Sequence, residues 1–285
     1  MFGKRSDGVR LKGLDPIFKI IPHIMKARHD SQNSYLYPVL CDPLDDFIAR
    51  EKQNGVYYNY MHIMIAAVVR LIALRPQLNR FVMNGRHYKR KAIYVSFAVK
   101  KSLKDEGQET TIKLVFSGLE TLHEIKERIE TAILENTNIN TKNNTDKLAK
   151  LFTSLPNCLI KLAVGFVKWL DKHGMLPKKV IEASPFHTSF FITNLKSIKI
   201  DFIYHHLYDF GTTGIFVSMG KEKMEAVVQG DNEIVAKKVM NVGVVTDERF
   251  CDGLYYANSL RLLKRILENP SILAAGLDKI NQDIN

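Results

Sequence analysis

The sequence predicts a mixed α/β sandwich, and three observations carry that reading. Residues 57–75 are apolar almost all round, as in a helix enclosed by other elements, and Pro76 stops it. Asn84-Gly85 joins the short runs 80-RFVM-83 and 86-RHYKRK-91. Both turn residues tolerate positive φ, the mark of a tight antiparallel hairpin. From residue 189 onward, the apolar and β-branched runs 189–195, 198–207, 213–221 and 234–248 read as strands.

The remaining elements follow in order. Apolar residues at helical spacing over 17–27 give a first helix, which runs into the polar stretch 28-RHDSQNSY-35. The run 35-YLYPVLCDP-43 reads as a strand, and 44-LDDFIAREKQNG-55 as a helix closed by Gly55. After the buried helix and the hairpin come strands over 92–99 and 109–118, then an amphipathic helix over 119–135. The polar bridge 136-NTNINTKNNTD-146 is expected to be mobile. Residues 147–180 form a lysine-rich helical block broken at Pro156 and over 174–177. Its apolar side is expected to pack on the domain, with peripheral contact to a membrane surface as the alternative. A helix over 258–267 closes the pattern, and Pro270 lies just beyond.

The chain has 285 residues, 46% hydrophobic and 25% charged, enough for a substantial core in a globular protein. A formal charge of +11 favours anionic partners: nucleic acid, an acidic membrane face or a phosphorylated ligand. The basic residues are spread along the chain, so solvated surface charge is the simplest account. No folded nucleic-acid motif surrounds the basic hairpin 86–91, so no nucleic-acid partner is expected. Cys41, Cys158 and Cys251 are far apart and lack any CxxC spacing, which argues against a disulfide framework or a metal site and suits the cytoplasm. The N-terminus has no apolar stretch of a secretory kind. The longest apolar run, 159–170, is interrupted by Lys161 and Lys168 and falls short of the roughly 20 residues of a spanning helix. GxGxxG, GxxxxGK[ST], HExxH and GxSxG are all absent.

The C-terminal third holds the chemistry. The run 247-DERFCDG-253, followed by the helical 254-LYYANSLRLLKRILENP-270, resembles the end of the catalytic domain of dihydrolipoyl acyltransferases of 2-oxoacid dehydrogenase complexes. It also resembles chloramphenicol acetyltransferase. Both families carry HxxxDG there, and Arg249, Cys251, Asp252 and Gly253 are in register with it. Upstream, 190-FFITNL-195 looks like the family strand that bears a serine, with Thr193 at the serine position and Asn194 beside it. The stretches 213–221 and 60–99 resemble the next strand and the family's long helix, turn and hairpin, and 17–47 more weakly its first helix and strand. The resemblance thus spans a domain over 16–270 in which 136–187 is an atypical helical insertion, flanked by a basic tail over 1–15 and a C-terminal tail over 271–285. It implies a chloramphenicol acetyltransferase-like sandwich of a mixed, largely antiparallel sheet packed with helices.

In the family, the histidine takes a proton from the thiol of coenzyme A or dihydrolipoamide, and the serine hydroxyl supports the oxyanion. Carried over, Thr193 supplies a hydroxyl. Asp252 holds the site through an ion pair, Gly253 supports it, and Arg249 pairs with a carboxylate. Glu248 departs from the pattern, standing where the histidine belongs. A solvated glutamate titrates near about 4.3, and is a poor base for a thiol near about 8.5. The run 204-YHHLYDFG-211 also contains His-xxx-Asp, yet it lies only 12 residues after Thr193, against 55 for Glu248. His205 or His206 is therefore a possible substitute base rather than the motif itself, and only one of the pair could face the site from a strand. Cys251 reads as a small buried residue.

The resemblance implies a homotrimer with a site shared between subunits, an acyl-CoA or acyl-lipoyl thioester as donor, and a small-molecule or lipoyl-type acceptor. Neither a metal nor a covalent lipoyl group on this chain is expected, since few residues precede the match. The alternative is a catalytically silent trimeric scaffold or regulatory subunit.

Overall fold

The computed structural model describes residues 4–100, 109–137 and 156–284. Most of the expected polar bridge and the lysine-rich residues 147–155 lie outside these. A six-stranded sheet runs in the order β2-β9-β8-β7-β5-β6, from β2 (Gln32–Leu40), β5 (Ile93–Lys100), β6 (Glu109–Phe116), β7 (Phe190–Asn194), β8 (Ile215–Gln229) and β9 (Glu233–Asp247). The pairs β5–β7 and β7–β8 are parallel; the other three are antiparallel. A separate antiparallel sheet joins β1 (Gly8–Arg10), β4 (Arg86–Arg90) and β3 (Arg80–Met83).

The hairpin forms where the sequence places it. Asn84 (φ 52°) and Gly85 (φ 67°) turn the chain between Met83 and Arg86, which face each other. Helix α1 (Pro16–Ile24) is capped by Asp15, and α2 is Asp42–Gln53. The long apolar run becomes α3 (Tyr60–Leu74), whose Asn59 side chain accepts from the His62 amide at 3.0 Å. It is enclosed by α4 (Leu122–Thr137), α7 (Gly253–Glu268) and one face of the large sheet, which supplies Val95, Phe190, Ile192, Val217 and Val244 to the main core.

The opposite sheet face carries a smaller cluster of Phe191, Phe216 and Val245, covered by Leu207. Residues 198–207, expected to form a strand, do not: Ile198 ends a 3-10 turn and 199–207 are irregular chain laid across this face. The Ser218 hydroxyl donates to the Ile203 carbonyl, and a Cβ at Gly243 would collide with that same oxygen. The alternation of 198–207 therefore records contact with a sheet, not membership of it.

Both terminal tails are built into the fold. Arg5 and Asp7 are buried and paired at 2.9 Å, and Gly8–Arg10 adds a strand to the small sheet. At the other end, Arg80 Nε donates to Asp283 at 2.7 Å and the Asn281 amide donates to Ala73 at 2.9 Å. Helices α5 (Asn157–Lys172) and α6 (Lys178–Ala183) begin after Pro156 and Pro177, as the breaks predict. No helix among the described residues is long and apolar enough to cross a membrane.

Candidate active site

Strand β9 ends at Asp247, and a short 3-10 turn, Glu248–Phe250, leads into α7. Asp247 organises this turn. Its carboxylate accepts from Arg249 Nε at 2.8 Å, Arg249 Nη2 at 2.7 Å and the Arg249 amide at 3.1 Å. Arg249 Nη1 reaches the carbonyls of Met25 and Lys26, each at 3.3 Å, so the turn is tied to the end of α1. Arg249 thus has the carboxylate partner expected of it, in Asp247. Arg28 lies against the same carboxylate at 3.8 Å, and burial among these charges lowers its pKa to about 10.

Held this way, Glu248 is half-buried on the wall of a pocket of about 450 Å³. Ile17, Phe18, Ile21 and Met25 make it apolar, and Asn33 Nδ2 donates to Glu248 Oε2 at 2.5 Å. Cys251, Asp252 and Gly253 line the same pocket. The Cys251 thiol is buried, and loss of hydration pushes its pKa up to about 12, which leaves it a packing residue. The ion pair expected of Asp252 is not formed among the described residues. The side chain is exposed and caps α7, accepting from the Tyr255 amide at 2.7 Å. A cap rather than a charge partner makes a clear expectation: Asp252→Ala lowers unfolding free energy by about 1 kcal/mol, while Asp252→Asn retains most of it. Urea titration of both variants checks this, and an Asn variant as damaged as the Ala variant overturns the capping role.

Thr193 and Asn194 are not in this pocket. The strand register puts Thr193 beside Ser218 and Ser218 beside Gly243, four residues before the end of β9. Asp247 is therefore about 13 Å further along the strand direction and two strands away, and Glu248 lies beyond it. Within one chain the two expected partners stay apart. The Thr193 hydroxyl makes no hydrogen bond among the described residues, and the neighbouring Asn194 Oδ1 is buried without a partner.

His205 lies on the Thr193 side of the sheet. Its ring stacks on Phe216 with centroids 4.0 Å apart, its Nδ1 meets the His206 carbonyl at 2.8 Å, and burial lowers its pKa. His206 is exposed. Because this segment is not a strand, the alternation argument does not assign the two rings to opposite faces.

A basic cavity of about 520 Å³ lies on the other side of residues 25–28, lined by Lys26, Arg28, Lys168, Lys172 and Arg249 among others. Sequence reasoning passed over Asp247, Arg28 and Asn33. Only Asp247 had a local signal, as the carboxylate two residues before Arg249.

The model of the 2-oxoacid dehydrogenases acyltransferase catalytic domain matches residues 186–275. Among solved structures, a probable dihydrolipoamide acetyltransferase from Listeria monocytogenes aligns with a TM-score of 0.56 at 14% identity, over 91% of this chain and 94% of that one. The chain has the acyltransferase fold, and residues 186–275 carry the 2-oxoacid dehydrogenase acyltransferase pattern. Dihydrolipoamide acetyltransferase from Azotobacter vinelandii aligns with a TM-score of 0.56 at 13% identity, over 92% and 93%. Chloramphenicol acetyltransferase gives 0.55 at 12%, over 91% and 99%. No curated protein sequence matches. The acyltransferase match ends at 275, so the Glu248 turn, its cap and the Thr193 strand all fall inside it.

Proposed function

We propose that this chain is an acyltransferase acting on a thioester of coenzyme A or a lipoyl group, with catalysis weakened because Glu248 stands at the base position. The observation that carries this reading is the convergence of Glu248, Cys251, Asp252 and Gly253 on one apolar pocket within the matched segment. A flexible apolar thiol arm fits walls made by Ile17, Phe18, Ile21 and Met25. Glu248 takes the proton as the acceptor sulfur attacks the thioester carbon, and Thr193 of a neighbouring subunit donates to the oxygen on which charge develops. Collapse of that adduct breaks the donor carbon–sulfur bond, the departing thiolate taking the proton back from Glu248. Free Cys41, Cys158 and Cys251 support a cytoplasmic setting. The test is calorimetric titration with acetyl-CoA: saturable binding is expected, and its absence removes the donor from the reading.

The separation of Thr193 and Glu248 in one chain supports a trimer with sites shared between subunits. A second feature supports it. Beyond the main sheet, Met224–Gln229 of β8 and 233–238 of β9 pair with no third strand among the described residues, an arm that exposes Met224 (65%), Val228 (66%) and Ile234 (71%). Two-stranded ribbons are marginal alone in water, so a neighbour that covers this arm is physically reasonable. Light scattering at micromolar concentration should give three times the chain mass; a stable monomer sinks the shared site. The silent-scaffold alternative draws on one observation, that Asn33 already engages the Glu248 carboxylate.

A further inference from the structure

Helix α5 has an apolar face that the other described residues leave uncovered. Ile160, Ala163, Val167 and Leu170 are half-buried on its inner side. On the outer side Leu159 is 45% exposed, Leu162 70%, Phe166 58% and Trp169 46%. The expectation that this block's apolar side simply packs on the domain therefore accounts for only half of the helix. Phe166 and Trp169 stack with ring centroids 6.2 Å apart, and Trp169 lies 4.6 Å from the His173 ring, so the exposed surface is a continuous aromatic ridge.

The charges beside this ridge have one sign. Lys161, Lys168 and Lys172 form a stripe along the helix, all exposed. The helix's one acid, Asp171, is buried, where Arg5 Nη1 donates to it at 2.7 Å and His187 Nε2 meets it at 3.1 Å. Lys178 and Lys179 follow on α6, partly offset by Glu182 at 3.5 Å from Lys178. A second copy of the same helix would set lysine stripe against lysine stripe, which opposes self-pairing. An anionic lipid surface satisfies both halves. Leu, Phe and Trp side chains enter the boundary between headgroups and acyl chains, and lysines reach to the phosphates with their stems along the apolar surface. A ridge flanked by cations, with the protein body behind it, has the form of a helix lying in the interface plane rather than across it.

We infer that α5 is a peripheral membrane-binding helix that seats the protein on anionic bilayers through Leu162, Phe166 and Trp169, with Lys161, Lys168 and Lys172 contacting headgroups. Trp169 is the chain's one tryptophan, so its emission reports on this ridge alone. The experiment titrates the full chain with vesicles of equal parts phosphatidylglycerol and phosphatidylcholine, and with phosphatidylcholine alone. Expected are a blue shift of Trp169 emission and co-sedimentation with the anionic vesicles, both diminishing as salt is raised. Leu162→Glu/Phe166→Glu, which keeps the reporter, should weaken partition by about 10-fold or more. Lys161→Gln/Lys168→Gln, which leaves the ridge intact, should weaken anionic binding and lessen its salt dependence. No shift with anionic vesicles overturns the inference. So does equal binding to both vesicle types by wild type and both variants, or a shift that follows protein concentration without lipid, the sign of a protein partner on the ridge.

Discussion

Glu248→His is expected to raise turnover of acetyl-CoA with a thiol or hydroxyl acceptor by about 10²–10⁴-fold, the usual contribution of a well-placed general base. Position 248 is where such a gain would be felt. The side chain sits on the wall of the apolar pocket beside Cys251 and Asp252, on a turn fixed by Asp247 and Arg249. Asn33, which now donates to the carboxylate, can offer its amide oxygen or its N–H to an imidazole. Imidazole takes up and releases a proton near neutral pH. Three other outcomes are distinguishable by steady-state kinetics. If Glu248→His changes little while His205→Ala or His206→Ala abolishes a measurable wild-type rate, the base lies beside Phe216, on the Thr193 side of the sheet. If Glu248→Gln abolishes activity while both histidine variants stay active, the carboxylate is a working base and the weakened-catalysis reading fails. If no variant has activity above background, the silent scaffold gains.

How much of this was visible beforehand depends on the range of the interaction that forms each element. The hairpin needed only two adjacent residues with positive φ, and Asn84-Gly85 announced it. Helix α3 was legible because a helix buried on every side is apolar on every side. Elements whose partners are remote were not. Gly8–Arg10 is polar and short, and becomes a strand only because β4 offers it an edge. The stretch Met224–Gln229 has no fully buried residue, and its pairing with 233–238 comes from the turn at 230–232 rather than from a buried face. At the candidate site, the motif singles out Glu248, Arg249 and Asp252 because they lie close together in sequence. Asn33 and Arg28 reach the same turn from more than 200 residues away, and no local pattern could announce them.

Asp247→Asn is expected to lower the unfolding free energy by about 3–5 kcal/mol, the range for removing one partner of a buried ion pair. Asp247 is 1% exposed, and receives three donors from Arg249 together with the Ser31 hydroxyl at 3.3 Å. Arg28 and Arg249, 4% and 3% exposed, share this one carboxylate, and Arg28 Nε has no hydrogen bond of its own. Neutralising Asp247 leaves two adjacent buried guanidiniums, and their repulsion adds to the loss of attraction. The asparagine can still accept from Arg249 through one oxygen, so the hydrogen-bond count alone would predict a loss nearer 1 kcal/mol, roughly the net worth of a typical bond. Urea denaturation followed by circular dichroism decides between these magnitudes. The double variant Asp247→Asn/Arg28→Met should recover part of the loss, because it removes the surplus cation while keeping the methylene packing. A single Asn variant within about 1 kcal/mol of wild type, or a double variant that only adds the two single losses, would show that charge balance around Asp247 does not hold the Glu248 turn.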